Sequence, residues 1–202
     1  MGDVIEYVVH DSEHRVPPVF QLCYRRSSLL NHFGEKVTEQ QLVQAIHEAI
    51  DELNGKNSGN PPRSFVDYCT TSINENGVFY HTIFIELTPN HDEQKQAQND
   101  WRNFAATLDG GLCAKNKFYA EYREQTSLQA LDVRLCQKNA FEVLKRSKAT
   151  TAPSYFRFIS FLDQRTRGAH FEQFKVPRLI PAEAHAMVSL MMGHSIAISD
   201  VS

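Results

Sequence analysis

The chain has 202 residues, of which 42% are hydrophobic, 22% charged and 10% aromatic, with a net charge of -3 and a pI near 6.3. That length supports one substantial core, or one domain with a smaller appendage, and the composition is too apolar for a disordered chain. The near-neutral charge gives no electrostatic reason to expect nucleic acid or an anionic membrane as partner.

A strand pattern opens the chain at Asp3–Val9, and a second follows at Val19–Tyr24, after a polar loop and the Pro17-Pro18 pair. The clearest helix comes next. Thr38 is placed to cap it, with Gln41 three residues on as the reciprocal partner. Leu42, Ala45, Ile46, Ala49, Ile50 and Leu53 recur at three- and four-residue steps and so share one face. Asn54-Gly55 ends this helix, and residues 57–63, rich in Gly, Pro and Asn, form a loop.

Two strands, Ser64–Ile73 and Val78–Leu87, then flank Asn76-Gly77, a strong hairpin signal. Phe79, Ile83, Ile85 and Leu87 lie on one face by two-residue alternation. A helix through Trp101, Phe104, Ala105 and Leu108 is expected to stop at Gly110-Gly111. A shorter helix at Lys115–Glu124, a strand at Leu128–Cys136 and a helix at Asn139–Lys148 follow, and a last helix begins at Pro181. From Val19 to Cys136 the order is β-α-β-β-α-β with a helical insertion. That order predicts an α+β fold, an antiparallel sheet with helices on one face, of the ferredoxin-like kind, plus a C-terminal helical extension.

Cys23, Cys69, Cys113 and Cys136 lie far apart with no CxxC pair, so the spacing of a common zinc site is absent. No signal-peptide pattern, no Asn-x-Ser/Thr sequon and no apolar run of membrane-spanning length is found, so reduced, buried thiols and a cytoplasmic location are expected. His10, Asp11 and His14 have the look of a metal site, but loop histidines at such spacing are more commonly solvated. His47 falls on the surface of its helix by phase, and the basic clusters Arg25-Arg26 and Lys145-Arg146-Lys148 are explained by a solvated face. No metal site is expected. There is no Walker loop, dinucleotide fingerprint or nucleophile elbow.

Six segments in register carry a family resemblance: Gly2-Asp3-Val4-Ile5-Glu6, Tyr24-Arg25-Arg26-Ser27-Ser28-Leu29-Leu30, Glu35-Lys36-Val37-Thr38-Glu39, Tyr80-His81-Thr82-Ile83-Phe84-Ile85-Glu86-Leu87, Leu128 to Arg134, and Gln173-Phe174-Lys175-Val176-Pro177-Arg178. Together they resemble the C-terminal part of the Gretchen Hagen-three family of acyl-acid amido synthetases, in the adenylate-forming superfamily. The resemblance implies a two-step, ATP-dependent reaction with Mg2+. A carboxylate attacks ATP to give an acyl-adenylate and pyrophosphate, and the amine of an amino acid then attacks the activated carbonyl. It also implies a mobile C-terminal lid that closes over a larger N-terminal domain. On that reading residues 1–18 are the linker or hinge strand and residues 19–202 the lid.

The resemblance assigns Lys175 to the departing pyrophosphate, where a cation delivered by a closing lid stabilises the charge that builds on phosphate oxygens. The alternative for Lys175 is a solvated lysine beside a turn fixed by Pro177. Lys36 would sit at the turn facing the active site in one lid orientation, or be an ordinary surface lysine before a helix. Asp3 would hold the ribose hydroxyls, since a carboxylate accepts two such groups, or be a turn aspartate. Arg178 would contact phosphate or pair with a carboxylate, and the pairing is favoured. Glu39 suits the helix dipole and needs no other role.

An N-terminal adenylating domain of several hundred residues is expected beyond this sequence, as if the chain were a truncated product, an incomplete gene model or an excised domain. The chain alone is then expected to be inactive. Two other readings stay open: a non-catalytic interaction module derived from the lid, and a thioester-forming enzyme that takes coenzyme A in place of the amine. The stretch Ser147–Arg167, with Tyr155, Phe156, Phe158 and Phe161, fits the resemblance least.

Overall fold

A computed structural model describes residues 3–8, 19–25, 30–56, 61–89, 98–151, 178–180 and 184–198; for 3–8, 19–25 and 147–151 it describes the backbone. Strands β1 (Asp3–Val8) and β2 (Val19–Arg25) pair antiparallel in a sheet of their own. Helix α1 (Glu39–Gly55) starts where its sequence says it should. The Thr38 hydroxyl accepts from the Gln41 N–H at 3.2 Å, and the Gln41 side chain accepts from the Thr38 N–H at 3.0 Å. All six residues of its periodic apolar face are buried.

Strands β3 (Ser64–Glu75) and β4 (Val78–Thr88) form the expected hairpin. Asn76 and Gly77 take φ of 54° and 86°, the left-handed pair that matches strand twist in a two-residue turn. Helices α2 (Gln98–Lys115) and α3 (Lys117–Glu124) then cross over to β5 (Asp132–Cys136). Helix α4 (Ala140–Thr151), β6 (Leu179–Ile180), α5 (His185–Gly193) and β7 (Ser195–Ala197) complete the order.

The main sheet has five strands in the order β6-β3-β4-β5-β7, and it is mixed rather than antiparallel: β3–β6 and β4–β5 run parallel, β3–β4 and β5–β7 antiparallel. This corrects the ferredoxin-like expectation. In that topology the Val19–Tyr24 strand would lie between β4 and the last strand. Here the two-helix crossover, which a parallel neighbour requires, brings β5 directly against β4, and β2 pairs with β1 instead.

Helices also cover both faces rather than one. Alternation along β4 sends Ile83, Ile85 and Leu87 into a core with α1, α2 and α3, where Trp101, Phe104, Leu108, Leu112 and Tyr119 are buried. Phe84 points the other way, with Cys69 and Cys136, into a second core with Phe141 and Leu144 of α4 and Met191 of α5. Cys69, Cys113 and Cys136 form no disulfide among the described residues, and the first and last are buried. Among the described residues no helix is long and apolar enough to cross a membrane.

Gly110-Gly111 does not stop α2, which runs on to Lys115. A Cβ at Gly111 would stand 3.2 Å from the Ala45 Cβ, so the missing side chain lets α2 approach α1 closely. The cost of glycine in the helix is offset by this packing. Gly110 meets nothing within 4 Å. Adjacent glycines should therefore answer substitution with opposite signs. Gly110→Ala is expected to stabilise by about 0.5–1 kcal/mol through helix propensity and a less flexible unfolded chain. Gly111→Leu is expected to cost about 1–3 kcal/mol by forcing the helices apart. Urea denaturation of the two variants measures both signs.

Candidate functional site

The loop between Leu30 and α1 is shaped by one buried carboxylate. Leu30 and Val37 close it with reciprocal backbone hydrogen bonds of 3.2 and 3.0 Å. Inside it, the Glu35 carboxylate accepts from the backbone N–H groups of His32 at 2.6 Å, Phe33 at 2.8 Å and Gly34 at 3.1 Å. Gly34, with φ of 117°, supplies a backbone turn that L side chains rarely adopt. The fourth donor is Nε2 of His81, at 2.8 Å, and neither side chain of this pair has any exposed surface.

His81 reaches Glu35 from β4 and touches β3 with its other nitrogen: Nδ1 lies 2.9 Å from the Ser72 hydroxyl, its cross-strand partner. With Nε2 donating to the carboxylate, a neutral ring accepts at Nδ1 from Ser72. The ring is stacked between His32, centroid to centroid 5.0 Å, and Tyr119, 6.4 Å. Burial alone would raise the pKa of Glu35. The hydrogen bond from His81 and those from the loop N–H groups outweigh it and bring the value down to about 2. His32 is held below its ordinary value by burial and then by His81.

Lys36 follows directly. Its φ is 47°, left-handed and unusual for a residue with a side chain. The Asn116 side chain donates to the Glu35 carbonyl at 2.8 Å, and the Lys36 N–H donates to the Asn31 side chain at 3.3 Å. The peptide joining Glu35 to Lys36 is thus gripped at both its oxygen and its nitrogen. Tyr122 holds the Phe33 carbonyl at 2.8 Å from α3. The Lys36 side chain itself is exposed.

A second cluster lies at the first turn of α1. The Arg178 guanidinium pairs with Asp67 and, at 3.2 Å, with Glu39, and it stacks 4.6 Å over the Tyr68 ring. It also donates to the Tyr68 carbonyl at 3.1 Å. The Arg178 carbonyl accepts from both the N–H and the hydroxyl of Thr70, at 2.9 and 2.7 Å, which seats β6 on the edge of β3. Burial, then the Glu39 carboxylate, push the Tyr68 phenol well above its ordinary pKa. Arg178 therefore sits against carboxylates, and Glu39 has a partner beyond the helix dipole.

The ion pair between Glu39 and Arg178 joins two of the sequence segments singled out above, the one carrying Lys36 and the one carrying Lys175. Lys175 itself lies outside the described residues, as do His10, Asp11 and His14. Asp3 stands at the first position of β1, opposite Arg25. His47 is exposed, with its ring edge-on to Phe65 at 5.8 Å. Among the described residues no group of three or more His, Cys, Asp or Glu side chains is arranged to hold a metal ion.

Sequence reasoning passed over the Glu35–His81 pair, although a signal was present. His81 falls in phase with Phe79, Ile83, Ile85 and Leu87, so the alternation that buries those residues buries an imidazole too. A buried imidazole needs partners.

Comparison with known proteins agrees with this architecture. The model of the GH3 family C-terminal domain matches residues 40–155, more than half of the chain. A probable indole-3-acetic acid-amido synthetase, GH3.12 of Oryza sativa subsp. japonica, is 24% identical over 98% of this chain. The chain spans only 29% of that protein. Among solved structures, a GH3.15 acyl acid amido synthetase superposes with a TM-score of 0.66 at 17% identity, over 97% of this chain and 31% of its own. The complex of AtGH3.15 acyl acid amido synthetase with 2,4-DB gives a TM-score of 0.61 at 16% identity, over 89% of this chain and 27% of its own.

Proposed function

The chain belongs to the GH3 family, whose C-terminal domain it matches, and from that premise we propose that it is the lid of an ATP-dependent acid–amino acid ligase. The observation that supports the reading is the Glu39–Arg178 contact, which joins a residue three positions after Lys36 to one three positions after Lys175. Lys36 and Lys175 act, in this reading, at one place, and two cations there suit a reaction that builds charge on phosphate oxygens as pyrophosphate leaves. In this reading Lys175 approaches the leaving group, Lys36 serves the same ligand, and Asp3 accepts from the ribose hydroxyls. Arg178 binds no phosphate directly; its guanidinium holds the segment in place. Mg2+ would arrive with the ATP phosphates as part of the substrate, since it is commonly held through phosphates and few protein ligands. The carboxylic acid and the amino acid bind mainly in an N-terminal domain, the partner this lid requires.

The test joins this chain to the N-terminal portion of a GH3 synthetase, in place of that enzyme's own C-terminal domain. Acid-dependent ATP–pyrophosphate exchange is expected from the fusion and none from the chain alone. Robust adenylate formation by the chain alone would overturn the proposal. A folded fusion without exchange would favour the second reading, in which the domain is a non-catalytic interaction module. Offering amino acids and coenzyme A in turn to the active fusion separates amide from thioester formation.

A further inference from the structure

We infer that Glu35 is a positioning residue whose buried contact with His81, itself bonded to Ser72, sets the direction in which Lys36 leaves the domain. The inference rests on the reading that Lys36 acts on the nucleotide, and it concerns what holds that lysine rather than what the lysine does. A buried carboxylate is a costly way to fill a turn, and well-packed apolar groups commonly serve stability as well or better. What a carboxylate offers is direction. Four donors converge on it from 2.6 to 3.1 Å, three from the loop and one from β4. The same residue's carbonyl is held by Asn116 at the head of α3, so the turn is fixed to the sheet and to a helix at once.

The consequence falls on the next residue. With the 35–36 peptide held at both polar atoms, Lys36 takes its left-handed φ of 47° and the chain returns to Val37 and its bridge with Leu30. The side chain then leaves from a fixed stem with its ammonium in water. A cation on such a stem meets a phosphate without first ordering its own backbone, and a displacement of about 1 Å at that stem is enough to cost up to 100-fold in rate. Ser72 and His81 extend the support into β3 and β4, the hairpin at the centre of the sheet.

The experiment uses the fusion enzyme and three variants: Lys36→Ala, Glu35→Gln and the double. Glutamine keeps the shape of the side chain but places an amide donor where the loop and His81 supply donors. Lys36→Ala and Glu35→Gln are each expected to lower kcat about 10–100-fold with KM for the acid little changed, and the double variant to be no worse than Lys36→Ala. Hydrogen exchange at the amides of His32, Phe33 and Gly34 should quicken in Glu35→Gln, while that of Thr70 stays slow. Full activity of Glu35→Gln, or losses that multiply in the double, would overturn the inference. Full activity of Lys36→Ala would remove the role of Lys36 itself, a separate failure read in a separate arm. Should Glu35→Gln not fold, Asn31→Ala takes its place: it releases the Lys36 N–H from an exposed position and leaves Glu35 and His81 paired. A loss in kcat is expected there too, and none would count against the inference.

Discussion

Alanine at Lys175 is expected to lower acid-dependent pyrophosphate exchange by the fusion enzyme about 100- to 1000-fold while leaving the fold intact. The magnitude is that of removing one preorganised donor from charge that develops in the transition state. Substrate binding should change less, because pyrophosphate carries its extra charge only as the bond to the α-phosphorus breaks. A loss confined to kcat fits a cation brought up by the lid, and a loss confined to KM for ATP would mean uniform phosphate binding instead. Lys175→Arg tests geometry: it keeps the charge but spreads it over a planar fork, and it should recover only part of the rate. Unchanged exchange in Lys175→Ala would remove this residue from the mechanism.

Glu35→Ala should be the most damaging substitution for stability among those described. It leaves His81 and three backbone N–H groups without their shared acceptor, in a site with no exposed side-chain surface. Each buried donor left without an acceptor costs about 1–3 kcal/mol, so a loss of several kcal/mol is expected, which for a chain of this size lowers Tm by roughly 10 °C. The pH dependence carries a definite sign. The folded pKa of Glu35, about 2, lies below its ordinary 4.5, so its contribution is complete above pH 4.5 and is lost as the pH falls toward 2. The shift corresponds to a stabilisation on the order of 3 kcal/mol at neutral pH. Chemical denaturation at several pH values should show the wild type losing more stability across that window than Glu35→Gln. Parallel pH profiles for the two proteins would count against an ionised Glu35.

The elements legible in the sequence were those specified by neighbours. Thr38 and Gln41 announce the start of α1 because both halves of the capping box lie within one turn. Asn76-Gly77 announces the hairpin because two positive φ values are demanded there. The sheet order was not legible. Whether β5 pairs with β4 or with β2 depends on contacts tens of residues apart, and either arrangement buries the same alternating face. Strands β6 and β7, two and three residues long, are too short for any period to show. Gly110-Gly111 reads locally as a stop, and only the approach of Ala45 from another helix shows it to be a packing surface.

At the site, Lys36, Lys175, Asp3 and Arg178 came from resemblance, because an exposed lysine carries no local mark of its use. The burial of His81 was within reach of periodicity alone, but not its partner. An imidazole on an apolar stripe and a carboxylate in a polar loop are each ordinary. Their meeting needs the loop folded back over β4, which only the three-dimensional structure shows.

The seating of Arg178 places a limit on distance. Its carbonyl is doubly bound to Thr70 and its guanidinium is joined to α1, so this residue is a fixed post. Lys175 is three residues upstream, and covalent geometry keeps its Cα within about 11 Å of that post. Lys36 is three residues from Glu39, the other end of the same ion pair. On the proposed function, the two lysines are thus tethered in sequence to opposite ends of one ion pair.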